Sequence, residues 1–251
     1  MEYIDLPEYD NICKDATVLR SGYEGEKVFA LPGGNFLKLF RLKVFSSAFF
    51  YPYAQRFTDN IQILRQLGIP CPEVIRVARI GSRKMRYDAV FYRPLAGDSL
   101  RRWATSMTDT DNDEPLRAEL GAFVANLHEG GIYFRSLHLG NIIRTPDDRF
   151  GLIDVSDLTV HAPFTPYFAH RFGLINIADL TGRSRPLPPS LAHRNFRHLL
   201  RWECDRSWLL ADQGGAFHTA YCRVRGNSAD YPQDMLTRIP PEKKRLGVKN
   251  A

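Results

Sequence analysis

The chain has 251 residues, enough for one large domain or two small lobes around a cleft, and its 44% hydrophobic and 25% charged residues are ordinary for a globular protein. Its four cysteines have no CxxC or zinc-ligand spacing, which excludes a zinc module and fits a reducing compartment. The formal net charge of +6 favours anionic partners such as nucleotides, phosphorylated sugars, nucleic acid or an acidic membrane surface, although solubility alone also explains it.

The first ninety residues predict an antiparallel sheet and one helix. Short apolar runs joined by glycine-rich turns are typical of a β-meander, and the predicted strands are 17–20, 27–31, 36–42, 74–80 and 87–92. A helix is predicted over residues 52–67, with Phe57, Ile61 and Leu64 on one face and Gly68 at its end. The most apolar stretch, residues 44–54, is too short to cross a bilayer.

After Gly97 the pattern becomes helical. An apolar stripe over residues 116–127 predicts a helix that ends at Gly130, and residues 160–222 predict further helices. We therefore expect an α+β fold with an antiparallel-sheet lobe of residues 1–93, a mainly helical lobe of residues 94–222 and a polar, loosely ordered tail of residues 223–251. The acidic N-terminal segment MEYIDLPEYD lacks the apolar core of a secretory signal, so we expect a cytoplasmic protein.

Residues 127–155, LHEGGIYFRSLHLGNIIRTPDDRFGLIDV, are the most informative segment. They predict a helix end, a loop and a tight hairpin whose strands span residues 141–144 and 150–155. Because a hairpin brings the start of one strand beside the end of the other, Asn141 and Asp154 are expected to lie close together. Hard oxygen ligands of this kind are what Mg²⁺ on a nucleotide phosphate requires.

This segment resembles the catalytic core of kinase-like phosphotransferases, whose small-molecule branch has the loop H-G-D-L-H-P-G-N and the strand L-I-D-F. Here the loop reads FRSLHLGN and the strand LIDV, with the family's thirteen-residue interval between Asn141 and Asp154. Over residues 15–160 the order of elements is similar to that of bacterial lipopolysaccharide core kinases, which phosphorylate heptose or Kdo. It is most similar to their smaller relatives, the toluene tolerance proteins. The resemblance implies a bilobal protein-kinase-like fold with ATP and Mg²⁺ as cofactors.

The resemblance also implies nucleotide-binding residues in the first lobe. Lys38, in the strand FLKLFR, takes the position of the phosphate-anchoring lysine, although alone it also fits an outward residue of a half-buried strand. Gly22 and Gly25 would cover the phosphates through backbone N–H groups, or form only a hairpin turn. Tyr92 lies in the hinge against which an adenine would rest. No GxxxxGK[ST] motif is present, which excludes a P-loop enzyme.

Two departures affect the implied catalytic residues. Ser136 occupies the family's catalytic aspartate position, and a neutral hydroxyl cannot accept the substrate proton as a carboxylate does. His138 or Asp157 would replace it as base or orienter, although His138 also fits a structural role in the loop. The predicted helix offers Lys38 only Asp59 instead of the family's glutamate, and Asp59 fits a solvent-facing position equally well.

The implied function is ATP- and Mg²⁺-dependent phosphotransfer to a lipid-linked lipopolysaccharide core sugar, with peripheral contact at the inner membrane and no nucleic-acid partner. Asn141 and Asp154 would bind the metal, and Ser136 would lie where the acceptor hydroxyl approaches. Five arginines suit an anionic or phosphorylated acceptor, or form a solvated helical face: Arg183, Arg185, Arg194, Arg197 and Arg201. The rivals are a catalytically impaired kinase-fold scaffold in envelope biogenesis and a small-molecule kinase, which would need an acidic acceptor pocket.

Overall fold

The computed structural model describes residues 2–21, 27–41, 51–81, 86–106, 113–161, 184–226 and 228–241. Among these residues are a six-stranded sheet and seven helices, so the predicted α+β class is confirmed. The chain divides into two compact units. The first takes the described residues of 1–97 and 143–159, and the second takes those of 98–142, 160–161 and 184–241. No helix in the described ranges is both long and apolar enough to span a membrane.

The first unit is built on a sheet whose strands are β1 (Glu2–Ile4), β2 (Thr17–Ser21), β3 (Lys27–Ala30), β4 (Phe36–Arg41), β5 (Glu73–Gly81) and β6 (Arg86–Arg93). Their order across the sheet is β1-β5-β6-β4-β3-β2, with β1 parallel to β5 and the other neighbours antiparallel. Gly33 and Gly34 have φ angles of 87° and 83°, which the turn between β3 and β4 requires. The predicted antiparallel sheet is therefore present, but only β2, β3 and β4 follow one another as in a meander, because β4 pairs with β6 and β5 lies beyond it, next to β1.

Both faces of this sheet are covered. Leu37 and Leu39 of β4 join a core that packs against α1 (Leu6–Cys13). Because strand residues alternate between faces, Lys38 and Phe40 lie on the opposite face, where Phe40 meets Phe57 of α2 (Tyr53–Gln66). Lys38 is consequently only 4% exposed, so its interpretation as an outward-facing residue is wrong.

Helix α2 has nearly the predicted bounds, and its three predicted core residues are all buried. The first unit also contains a hairpin from much later in the chain, β9 (Ile142–Arg144) and β10 (Phe150–Leu152), whose turn is closed by a 2.9 Å bond from Thr145 N–H to the carbonyl of Arg149. Leu152 N–H donates to the Pro70 carbonyl at 2.9 Å. A Cβ on Gly151 would lie 2.6 Å from that same carbonyl oxygen, so only glycine fits this approach.

The strands of the hairpin end sooner than predicted. β10 stops at Leu152, and Asp154 has φ 56° and ψ 43°, in the left-handed region that no strand contains. A short 3₁₀ turn, Val155–Asp157, follows it. Asn141 likewise belongs to a 3₁₀ turn, Leu139–Asn141, rather than to β9, because its N–H donates to the His138 carbonyl at 2.9 Å.

The second unit is mainly helical in its described residues. Its helices are α3 (Leu100–Ser106), α4 (Glu114–Glu129), α5 (Pro189–Leu199), α6 (Glu203–Leu209) and α7 (Gly215–Arg225). Helices α4 and α7 pack so closely at Gly121 that a Cβ there would lie 2.2 Å from the Phe217 carbonyl oxygen. The remaining short strands are β7 (Asp98–Ser99), β8 (Ile132–Phe134) and β11 (Leu158–Val160).

The segment after α7 differs from the loosely ordered tail that its polar sequence predicts. Tyr231, Met235 and Leu236 are 2%, 5% and 1% exposed. Tyr231 packs edge-on against the buried ring of Tyr221, with 5.0 Å between ring centroids. A few spaced apolar side chains therefore attach this segment to the helical core. The end of the predicted tail, residues 242–251, lies outside the described residues.

Candidate active site

Lys38 and Asp154 form an ion pair within the first unit. The Lys38 side chain is 5% exposed and the Asp154 side chain is 29% exposed, so the lysine is enclosed and the carboxylate retains access to solvent. The Lys38 ammonium also lies 5.0 Å from the ring centroid of Phe40 and 5.5 Å from that of Phe57. These aromatic faces and the carboxylate together stabilise a buried cation that would otherwise be costly.

Tyr92, the predicted adenine-contacting residue, lies near this pair. Its ring contacts Phe36 and Phe57, with centroids 5.7 and 5.5 Å away, and only 8% of the residue is exposed. Burial, and then the negative charge of Asp154, raise the pKa of the Tyr92 hydroxyl above its usual range. Lys38, Tyr92 and Asp154 are thus brought together, whereas Gly22 and Gly25 lie outside the described residues.

Asn60 of α2 fixes the turn that follows Asp154. Its Nδ2 donates to the carbonyl of Val155 at 2.6 Å and to that of Leu158 at 3.0 Å, and the residue is 5% exposed. Sequence reasoning missed Asn60, because an asparagine between apolar helix positions carries no indication of partners 95 and 98 residues away. The one signal in the sequence was its position among apolar residues of the predicted helix, which suggests a buried amide but not the partners of that amide.

Asp59, the alternative partner considered for Lys38, is held by its own neighbours. Its Oδ2 accepts from the Tyr51 hydroxyl at 2.6 Å, and its Oδ1 accepts from Gln55 Nε2 at 2.8 Å. The residue is 4% exposed, so the solvent-facing interpretation is wrong. The carboxylate that forms an ion pair with Lys38 is that of Asp154.

The second unit contains Ser136, His138 and Asn141 on a single loop. Asn141 is 3% exposed, and its Nδ2 donates to the Ser136 carbonyl at 3.0 Å. This bond orients the side-chain amide and leaves Oδ1 as the atom that could ligate a cation. The Ser136 residue is half-buried at the other end of the same bond.

Asp205 and Arg101 fix the backbone of this loop. Arg101 donates to both carboxylate oxygens of Asp205, from Nε at 2.7 Å and from Nη2 at 2.8 Å, and Asp205 Oδ2 also accepts from Leu139 N–H at 3.0 Å. Asp205 is 1% exposed. A buried carboxylate with three charge-assisted or backbone donors is well satisfied, and it fixes the loop two residues before Asn141. Sequence reasoning missed this pair too, because 104 residues separate its members.

His138 lies beside this pair rather than in open solvent. Its ring packs edge-on against Trp202, with 6.3 Å between centroids, and its Nδ1 is 3.4 Å from Arg101 Nη2. The guanidinium of Arg101 also lies 5.2 Å from the Trp202 ring. These contacts favour the structural interpretation of His138. Asp157, the other suggested base, lies in the 3₁₀ turn after Asp154, in the first unit.

His128 supports the same loop from the core of the second unit. Its Nε2–H donates to Asn195 Oδ1 at 3.0 Å, its Nδ1 accepts from the Tyr221 hydroxyl at 2.8 Å, and Asn195 Nδ2 donates to the Phe134 carbonyl at 2.6 Å. This chain of bonds fixes the tautomer of His128 and ends two residues before Ser136. Burial lowers the pKa of His128 to about 4.

The side chains described above include the chemical groups that bind Mg²⁺ and nucleotide phosphates. In the first unit Asp154 offers a partly exposed carboxylate and Lys38 an ammonium, and in the second unit Asn141 offers an amide oxygen. Among the described residues, no three His, Cys, Asp or Glu side chains form a metal-binding cluster. A cation bound by either Asp154 or Asn141 would therefore need phosphate or water oxygens to complete its shell, as Mg²⁺ on nucleotides does.

No protein-family model matches the chain, and no curated protein matches it significantly.

Proposed function

We propose that this protein is an ATP- and Mg²⁺-dependent phosphotransferase with a bilobal protein-kinase-like fold. The observation that carries the proposal is the ion pair between buried Lys38 and partly exposed Asp154. Well-packed apolar residues can often replace a buried ion pair without loss of stability, so fold stability alone is a weak reason for this one. An ammonium group and an acidic oxygen ligand are the two groups that nucleotide phosphates and their metal require.

In this proposal, Lys38 binds phosphate oxygens, Asp154 and Asn141 Oδ1 bind the metal, and Tyr92 lies beside the base. Mg²⁺–ATP would supply the transferable phosphoryl group and neutralise the charge of its loose transition state. Ser136 orients the acceptor hydroxyl without serving as a carboxylate base, which lowers the rate by about 10²–10⁴ without preventing transfer. The proposed acceptor is an anionic, lipid-linked lipopolysaccharide core sugar, met at the cytoplasmic face of the inner membrane.

The first test is nucleotide binding by the full-length protein, measured as a change in melting temperature. ATP with Mg²⁺ at about 100 times its Kd should stabilise the protein by about 2.7 kcal/mol. That corresponds to a rise of roughly 5–10 °C in a domain of this size. We expect Asp154→Asn to abolish the Mg²⁺-dependent part of this rise, because it removes the only negatively charged protein ligand that the proposal gives to the metal.

Asp148→Asn is the matched control. Asp148 also has a positive φ, 58°, and its side chain is 82% exposed at the hairpin turn. It therefore tests the same substitution in the same backbone conformation, away from Lys38. Wild-type protein without any response to Mg²⁺–ATP would contradict nucleotide binding, and an equal loss in both variants would contradict the metal-binding role of Asp154.

A complementation experiment separates the enzyme from a scaffold. Asp154→Asn should fail to restore a deletion strain, and the phosphate content of its core lipopolysaccharide should stay at the deletion level. A scaffold that needs only its fold would be restored. Full complementation by folded Asp154→Asn protein would therefore replace phosphotransfer with the scaffold.

A further inference from the structure

A pocket of about 480 Å³ lies in the second unit, between α5 and residues 232–240. Helix α5 lines it with Ser190, Arg194 and Arg197, which stand at i, i+4 and i+7 and so share one helix face. The volume lies within the range of about 300–1,000 Å³ that is common for small-molecule sites. Neither Lys38 nor Asp154 lines this pocket, so it is a separate feature of the molecule.

The charge of the pocket is strongly positive. Arg194 and Arg197 form no ion pair with any carboxylate among the described residues, and Arg238 lines the opposite wall. Arg238 Nε donates to Asp234 at 2.6 Å, but their side chains are 68% and 50% exposed, so this pair neutralises the arginine weakly. Guanidinium groups present planar, permanently charged donors that match phosphate oxygens.

His198, one residue after Arg197, lies near several arginines. Its pKa is lowered to about 4, first by burial and then by the charges of Arg201, Arg194 and Arg135. Protonation of this imidazole would add one more cation to three guanidinium groups. Arg194, which lines the pocket, is therefore close enough to this imidazole to add to the effect of burial.

The wall that faces α5 is apolar as well as cationic. Met235 and Ile239 line it together with Arg238, and Met235 is 5% exposed. A merely solvated helix face, the alternative explanation of these arginines, would not have a concave apolar wall opposite it. The combination of apolar surface and convergent cations is the pattern of a site for an amphiphilic anion.

We propose that this pocket binds a phosphate ester that carries an apolar chain. Arg194, Arg197 and Arg238 hold the phosphate oxygens, and the chain lies against Met235 and Ile239. The ester comes either from solution or from a bilayer lipid, since both present this chemistry. The site does not depend on nucleotide binding at Lys38.

Isothermal titration of the full-length protein with decyl phosphate, kept below its micelle-forming concentration, tests the pocket. Decyl phosphate should bind at least about ten times more tightly than inorganic phosphate or neutral decyl glucoside, because only it uses both walls. The double variant R194Q/R197Q should weaken its binding by about tenfold or more, through loss of two charge-assisted contacts. The control double variant R102Q/R223Q removes two exposed arginines elsewhere in the same unit and should change affinity by less than about twofold.

Two further measurements complete the test. Ile239→Ser should weaken decyl phosphate while leaving inorganic phosphate unchanged. Vesicle co-sedimentation identifies the source: phosphatidylglycerol binding that R194Q/R197Q abolishes indicates a lipid, and decyl phosphate binding without vesicle binding indicates a soluble ester. Equal decyl phosphate affinity in wild type and R194Q/R197Q, or equal losses in the two double variants, would overturn the site.

Discussion

Asp154 combines an unusual backbone conformation with a charged contact. A residue other than glycine in the left-handed region costs on the order of 1–3 kcal/mol, and asparagine and aspartate tolerate it best. The Lys38 ion pair and the Asn60 bonds to the following turn hold it there. Asparagine is therefore the informative replacement at this position. Alanine would add backbone strain to the loss of the carboxylate, and the two effects could not be separated.

The lowered pKa of His128 predicts that the folded protein loses stability in acid. Its folded-state pKa of about 4 lies below the ordinary value of 6.5, so the unfolded chain binds the proton more readily. The stabilising contribution is complete above about pH 6.5 and is lost as the pH falls towards about 4, up to on the order of 3 kcal/mol. Urea unfolding of wild type and His128→Gln between about pH 7 and pH 4 should show a flatter pH dependence in the variant.

His198 is the control for this measurement, because its pKa is lowered in the same direction. His198 is only half-buried, so His198→Gln should flatten the profile less than His128→Gln does. Parallel profiles for wild type and His128→Gln would show that His128 does not titrate in this range.

Among the elements, helix α2 links the sheet to the turn after Asp154. Phe57 on this helix contacts the Lys38 ammonium, and Asn60, one turn later, bonds the carbonyls of Val155 and Leu158. The two members of the ion pair are therefore positioned by neighbouring side chains of one rigid helix. Small changes in α2 should affect both members together.

Asn60→Leu tests this link. The substitution keeps the approximate side-chain size but leaves two buried carbonyl groups without their donor, so we expect a loss of about 2–5 kcal/mol in the free energy of unfolding. Gln62→Leu, at an exposed position of the same helix, should change it by less than about 0.5 kcal/mol. Chemical denaturation of both variants measures the difference, and equal effects would show that Asn60 contributes no more than a surface residue.

The sequence predicts those elements whose signal is local. Helix α2 and five strands of the large sheet follow from periodicity and turn residues, and they are present with nearly the expected bounds. The prediction fails where the local conformation depends on residues far away in the chain. The run LIDV has the composition of a strand, but the positive φ of Asp154 depends on contacts made by Lys38 and Asn60 far away in the chain.

The candidate site shows the same division. Its motif residues Lys38, Asn141 and Asp154 could be selected from the sequence, because each stands in a recognisable pattern. The groups that hold them, Asn60 and Asp205, could not. Their partners lie about a hundred residues away, and a single polar residue on an apolar helix does not identify its acceptor.

At the scale of the whole molecule, neither unit is a continuous piece of chain. The first unit includes residues 143–159, which contain Asp154 and the acceptors of Asn60. A fragment of residues 1–97 would keep Lys38 on a covered sheet face without its carboxylate, and an unpaired buried charge is strongly destabilising. We expect this fragment to lack a cooperative thermal transition by circular dichroism.

The same fragment with Lys38→Met is the comparison. Methionine removes the unpaired charge and keeps the apolar stem, so it should restore part of the cooperative transition. If the unmodified fragment melts cooperatively and Lys38→Met adds no stability, residues 143–159 are dispensable for the first unit.

The contact between Lys38 and Asp154 spans 116 residues, and this separation has a consequence for synthesis on the ribosome. Asp154 is made roughly 60 residues after Gly97, which takes on the order of 3–12 s at about 5–20 residues per second. During that interval the nascent sheet has an uncompensated lysine on one face and no cover from the later hairpin. We therefore expect the emerging N-terminal half to be prone to chaperone binding until the chain has grown past residue 159.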